Sequence, residues 1–331
     1  MKSIAVFLLL LSLVCYLPAA TAAESRPVAP PLHLVARISL GAVSGRIDHL
    51  SIDRARKRLF VAELGNNTVS VIDLDQRVVV KRLTGMKAPQ GVLYAPDSDR
   101  LFVASGDDGS VTAFTGGELM PVGKHDLKDD ADNLRMGADQ KIWVGYGGGG
   151  LAAIDPPSLA KQADIPLKGH PEGFQLDPIR NRAYVNVPDN REIAVVDLSA
   201  QRQIASWRVD ARANYPMALA EDGKRVLVAF RLPARMAMFD AASGTKLADV
   251  TACGDADDVF ADEKRQRVYV ACGAGVVEVF ARTSTSLDPI ARVATSSGAR
   301  TAFFDAVGDK LYVAVRAALT HPAEIWEFEP K

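Results

Sequence analysis

Seven residues stand at one fixed distance ahead of a repeated Val: Asp48, Gln90, Asp132, Glu172, Tyr215, Asp257 and Arg300. The distance is 13 positions, and 12 at Asp132, where the intervening turn is one residue shorter. Six of the seven are charged or amide side chains, each flanked by apolar sequence. Their neighbours add His49, Asn133, Asp258 and Thr301. If these positions meet, four carboxylates and an Arg face one space. Carboxylates and amide oxygens are hard donors that suit Ca²⁺ or Mg²⁺, with Asp132, Glu172 and Asp257 as the candidate metal set. Crowded acids raise one another's pKa unless a cation or Arg300 compensates. Polar residues at such positions also have a plainer use, as the lining of a water-filled channel or as caps on neighbouring backbone.

Four of the five histidines, His49, His125, His170 and His321, fall in or beside loops expected on one face. That clustering would suit a transition metal or a haem edge, but no pair has a local ligand spacing. Several motif matches lack the context their chemistry needs. Gly145-Tyr146-Gly147-Gly148-Gly149-Gly150 fits G-x-G-x-x-G but joins two strand signals and opens no helix. Gly123-Lys124 is followed by His125 rather than Ser or Thr, so it is not a P-loop. No G-x-S-x-G elbow and no H-E-x-x-H zinc motif occurs.

The elements that position these residues follow from an internal repeat. Leu59-Phe60-Val61-Ala62 and Leu101-Phe102-Val103-Ala104 are followed by Ile142-Trp143-Val144-Gly145 and Ala183-Tyr184-Val185-Asn186. Val226-Leu227-Val228-Ala229, Val268-Tyr269-Val270-Ala271 and Leu311-Tyr312-Val313-Ala314 complete the set. The central valines are 42, 41, 41, 43, 42 and 43 residues apart. That period fits four short strands per unit, the size of a propeller blade. Charged or Gly-rich turns precede each signal, and a third apolar strand and a more polar fourth strand follow it. The spacing predicts an all-β, seven-bladed β-propeller. Its last unit lacks a fourth strand, and His33 to Ser39 is expected to pair with Glu324 to Phe328 and close the ring. Residues 32–331 then form a single propeller domain. In such a ring the first strand of each blade lines the central channel, so the seven polar residues converge at its mouth.

The string Arg58 to Asp73, RLFVAELGNNTVSVID, resembles the YVTN repeat, and the chain is similar to bacterial YVTN-type (YncE-like) secreted propellers over residues 32–331. The repeats lack the Trp-Asp dipeptide of the Trp-Asp-repeat propellers. The resemblance implies a binding or scaffold protein, with a few enzymes among its relatives.

Residues 1–22 read as a signal peptide: Lys2, an apolar run from Ile4 to Val14, then Ala20-Thr21-Ala22. Residues 23–31 form a linker. The apolar run is too short to span a bilayer, so a periplasmic or secreted protein with no membrane span is expected. That compartment permits a disulfide. Cys253 precedes the first strand of blade six and Cys272 ends its second, at the same end of an antiparallel pair. The two are either bridged or a pair of buried thiols. A net charge of -1 and 7% aromatic residues speak against nucleic acid. The function expected is recognition of a small-molecule ligand or a periplasmic protein partner by a monomer. The site is the channel funnel: Asp48, His49, Gln90, Asp132, Asn133, His170, Glu172, Tyr215, Asp257, Asp258 and Arg300. The alternative is a divalent-metal-dependent, lactonase-like hydrolase or lyase, with His49 or His170 as base.

Overall fold

The computed structural model describes residues 30–331. The expected signal peptide and residues 23–29 lie outside the described residues. Seven four-stranded antiparallel sheets follow one another along the chain. Their first strands are Leu50–Asp53, Pro89–Ala95, Ala131–Met136, Phe174–Asp177, Met217–Ala220, Ala256–Asp262 and Ala302–Asp305. Each first strand touches those of the blades on either side, from blade one round to blade seven and back. The sheets therefore form a closed seven-bladed propeller around a channel.

Burial explains the repeat. The second strand of each blade is covered on both faces by neighbouring blades, so its central residues are apolar in succession rather than alternating. Phe60, Phe102, Val144, Tyr184, Leu227, Tyr269 and Val313 are all fully or nearly fully buried. Seven clusters of buried apolar side chains each span one blade–blade interface. The fourth strands, such as Val78–Leu83 and Arg202–Arg208, are mostly exposed.

The ring closes as the sequence predicts, over a longer span. Leu32–Gly41 pairs antiparallel with Ala323–Pro330 and supplies the fourth strand of blade seven. His33 lies opposite Glu329 and Ser39 opposite Glu324. Ile38 and Leu40 of this strand pack against Leu59 and Ile72 of blade one, so both chain ends share one interface. Arginines staple the face away from the funnel. Arg56 bridges Asp53 of blade one to Asp99 of blade two, and Arg265 bridges Asp262 of blade six to Asp309 of blade seven. No helix among the described residues is long and apolar enough to cross a membrane.

Two glycines let the first strands approach closely around the channel. A Cβ on Gly91 would overlap the carbonyl oxygen of Asp132 in the next blade. One on Gly173 would come within 2.5 Å of the Tyr215 oxygen. Both glycines stand one position after the predicted ring residue, at Gln90 and Glu172.

Candidate functional site

The predicted ring comes together at one mouth of the channel. Asp48, Gln90, Asp132, Glu172, Tyr215 and Asp257 line a cavity of about 270 Å³, together with His49, Asn133, His170 and Asp258. Arg300 joins them through Asp257. Thr301 is buried and donates to the Ile47 carbonyl at 3.2 Å. The other histidines go elsewhere. His125 lies opposite Val111 on the outer strand of blade two, His33 lies on the closing strand, and His321 meets Ser296 at 3.0 Å.

The acids are not equivalent. Asp48 accepts from Arg46 at 2.9 Å. Asp257 is clamped between Arg231 and Arg300, the latter at 2.9 Å, and the same two guanidiniums reach Asp255. Asp258 accepts the backbone N–H of Ala302 in the next blade at 2.8 Å, so it caps a strand while facing the channel. Gln90 donates to Asp130 at 2.7 Å. Asp132 and Glu172 differ: no side-chain hydrogen bond or ion pair from the described residues reaches either carboxyl. Asn133 is buried, and its Oδ1 has no hydrogen-bond partner among the described residues.

Titration reflects this arrangement. Burial, then the charges of Asp48 and Glu172, holds the Asp132 carboxyl well above the ordinary carboxylate range. Burial pushes Glu172 up to about 7, with Asp257 adding to the rise and His170 opposing it. Burial also raises Asp48 against Arg46 and Arg300, and Asp257 against Arg231 and Arg300. Asp258 is raised well above its ordinary value, chiefly by burial. His49 is pushed down to about 4 by burial and by Arg135. It is therefore neutral near pH 7, although Asp48 and Asp258 lie 3.8 and 3.9 Å from its ring nitrogens. His170 Nδ1 donates to the Gly147 carbonyl at 2.6 Å, since a carbonyl only accepts.

Several site residues escaped the sequence count: Arg46, Asp130, Arg135, Arg231 and Asp255. Arg135 lies one layer down. With His49 and Asp258 it lines both the funnel and a second cavity of about 260 Å³ beneath it, whose floor holds Phe260, Phe303 and Phe304. Burial lowers the Arg135 pKa. Its guanidinium lies 5.6 Å from the Phe174 ring centre. Arg231 stacks 4.2 Å over Tyr215 while it holds Asp257. Beside the funnel, a groove of about 710 Å³ carries Asp107, Asp108, Asp126, Asp129 and Asp130.

Of the candidate metal set, Asp257 has both oxygens engaged by guanidiniums, which leaves Asp132 and Glu172. No three His, Cys, Asp or Glu side chains among the described residues converge as a metal site. What the funnel presents is two carboxyls, Asp132 and Glu172, that no described side chain pairs with, beside the guanidinium of Arg135. The sulfurs of Cys253 and Cys272 lie at bonding distance, with Cα atoms 6.0 Å apart, and would tie the channel-side end of blade six.

No family model and no curated protein matches this chain. Among solved structures it is similar to Kuenenia stuttgartiensis hydrazine synthase, with a TM-score of 0.72 and 16% identity over 85% of this chain and 99% of that one. It is also similar to a chain in the crystal structure of the mitotic checkpoint complex, with a TM-score of 0.77 and 13% identity over 96% of this chain and 99% of that one. At such identities the likeness is one of fold: this chain is a seven-bladed β-propeller.

Proposed function

We propose that this chain is a periplasmic or secreted binding protein that holds a small polar ligand in the channel funnel. The YVTN-like (YncE-like) repeat and the leader-like residues 1–22 support the family and the compartment. One observation carries the functional reading. Asp132 and Glu172 line a cavity of about 270 Å³, and no hydrogen bond or ion pair from the described residues reaches either carboxyl. Carboxyls that no protein group pairs with are free to accept hydrogen bonds from a bound molecule. A ligand with donors can pair with both, and the ring of first strands holds the two acceptors in place before it arrives.

Native mass spectrometry of the mature protein, incubated with a small-molecule extract, tests the reading. A one-to-one adduct on the wild type that is absent from the Asp132→Asn/Glu172→Gln variant is expected. No adduct, or one that the variant keeps, overturns it.

A further inference from the structure

We infer that the space beneath the funnel is a second subsite, which takes the carboxylate of a small organic acid on the Arg135 guanidinium and its apolar body against Phe260, Phe303 and Phe304. The inference goes beyond the binding reading above, which rests on Asp132 and Glu172.

Arg135 carries the argument. Among the described residues its guanidinium makes one hydrogen bond, from Nη1 to the carbonyl of the adjacent Leu134 at 2.8 Å, and no ion pair. The other arginines of the channel are held: Arg46 by Asp48, and Arg231 and Arg300 by Asp255 and Asp257. Nε and Nη2 of Arg135 are not sealed in the core, and the residue lines both the funnel and the cavity of about 260 Å³ below it. A guanidinium only donates and does not lose its charge. A ligand must therefore bring acceptors and negative charge, and the planar fork fits a carboxylate through two parallel N–H···O bonds.

The acids nearby do not fill that role. Asp258 and Asp132 act on the Arg135 charge, but from beyond ion-pair distance. Asp132 lines the funnel and not the lower cavity. Asp258 lines both, but one of its oxygens accepts the Ala302 N–H, and burial raises its carboxyl well above the ordinary range. It is the only acid of the lower cavity, and the readier of the two groups to be neutral. His49, the remaining titratable group there, is neutral near pH 7. The uncharged polar neighbours are engaged elsewhere: Gln175 donates to the Met217 carbonyl at 2.9 Å, and Ser51 Oγ accepts the Tyr94 N–H at 2.9 Å.

The apolar body follows from the layer in which Arg135 sits. Three residues beyond the funnel ring the same first strands present Leu93, Phe260 and Phe303 beside it, and Arg135 is the one charge of that layer. Phe304 adjoins them, its ring centre 6.5 Å from that of Phe260. The three Phe side chains and Leu93 are half-buried rather than sealed, so they offer surface to a ligand. An inorganic anion would leave that surface in water, whereas a hydrocarbon body removes it from water.

The test is calorimetric titration of the mature protein at pH 8 with phenylacetate, with 2-phenylethanol as the neutral counterpart and acetate as the anion without a body. Phenylacetate is expected to bind one per chain, and the other two about tenfold more weakly or worse, the scale of one charge-assisted hydrogen bond. Arg135→Gln should weaken phenylacetate about tenfold or more, and Arg135→Lys, which keeps the charge without the fork, should fall between. Phe303→Ala should weaken it too, with melting curves showing that each variant is folded. Asp107→Asn/Asp129→Asn in the neighbouring groove should leave it unchanged. Absence of phenylacetate binding overturns the inference, as does binding that Arg135→Gln and Arg135→Lys leave unchanged. Equal binding of 2-phenylethanol overturns the carboxylate assignment, and equal binding of acetate overturns the apolar one. The funnel reading fails separately. An adduct lost in Asp132→Asn/Glu172→Gln, without Arg135-dependent phenylacetate binding, leaves the funnel and removes this subsite, and the reverse pattern leaves this subsite alone.

Discussion

Glu172→Gln should make the folded protein more stable above neutral pH and leave it nearly unchanged in acid. In the fold Glu172 ionises at about pH 7 rather than at the ordinary 4.5, first because it is buried and then because Asp257 is near. The folded state therefore holds its proton over a range where the unfolded chain has lost it. That advantage is complete below pH 4.5 and disappears as the pH rises to 7. Above pH 7 the fold carries a buried carboxylate at a cost of about 3 kcal/mol. Glutamine has nearly the same shape and cannot ionise, so the cost is removed. For a chain of this size the gain at pH 8 corresponds to a rise in melting temperature on the order of 6 °C. The assay is thermal unfolding of wild type and variant from pH 4 to 9. The difference between them should open between pH 4.5 and 7 and then level off. A difference that does not change across that window would refute the reasoning, because Glu172 would then be solvated channel lining.

Three other perturbations test separate parts of the account. His49 titrates at about 4 in the fold, so its neutral form contributes stability that is lost as pH falls from 6.5 to 4. Relative to His49→Asn, the wild type should lose about 3 kcal/mol across that interval, a slope opposite in sign to that of Glu172, read from the same melting curves. Gly91→Ala drives a Cβ into the Asp132 carbonyl. It should cost about 1–3 kcal/mol in urea unfolding and weaken funnel binding. Cys253 and Cys272, 19 residues apart, are expected to be oxidised in the mature protein. Their removal as a double Ser variant should cost about 3 kcal/mol, and two free thiols by mass after alkylation without reductant would contradict the bridge.

Much of this architecture is legible in the sequence because a blade is a rigid ruler. The second strand must be apolar on both faces, so Phe60, Phe102 and Tyr184 mark the same depth in each blade. Counting back from the following Val then reaches the same height in the channel, which is why Asp48, Asp132 and Glu172 share a cavity. Arg135 was within reach of the same ruler. Three residues after each ring position stand Ser51, Leu93, Arg135, Gln175, Ala218, Phe260 and Phe303, and all but Ala218 line the lower cavity.

The pairing of the acids was not legible. Arg231 is the last residue of a second strand, Arg225–Arg231, that runs longer than its equivalents in most other blades, and no periodicity signals such an extension. Whether Asp257 is bare or clamped depends on that residue and on Arg300, which reach it from different strands. The histidines sit in or beside loops as the sequence places them, but that does not bring all of them together. Nearness to a loop does not fix the distance from the channel, and His125 lies on the outer strand of its blade.

The central claim is that Glu172 and Asp132 face the funnel as uncompensated carboxyls poised for a ligand. Carboxyl ¹³C NMR titration of the wild type against Glu172→Gln tests it most directly. The account predicts one resonance, missing from the variant, with a midpoint near pH 7. A Glu172 resonance that titrates in the ordinary carboxylate range would contradict it.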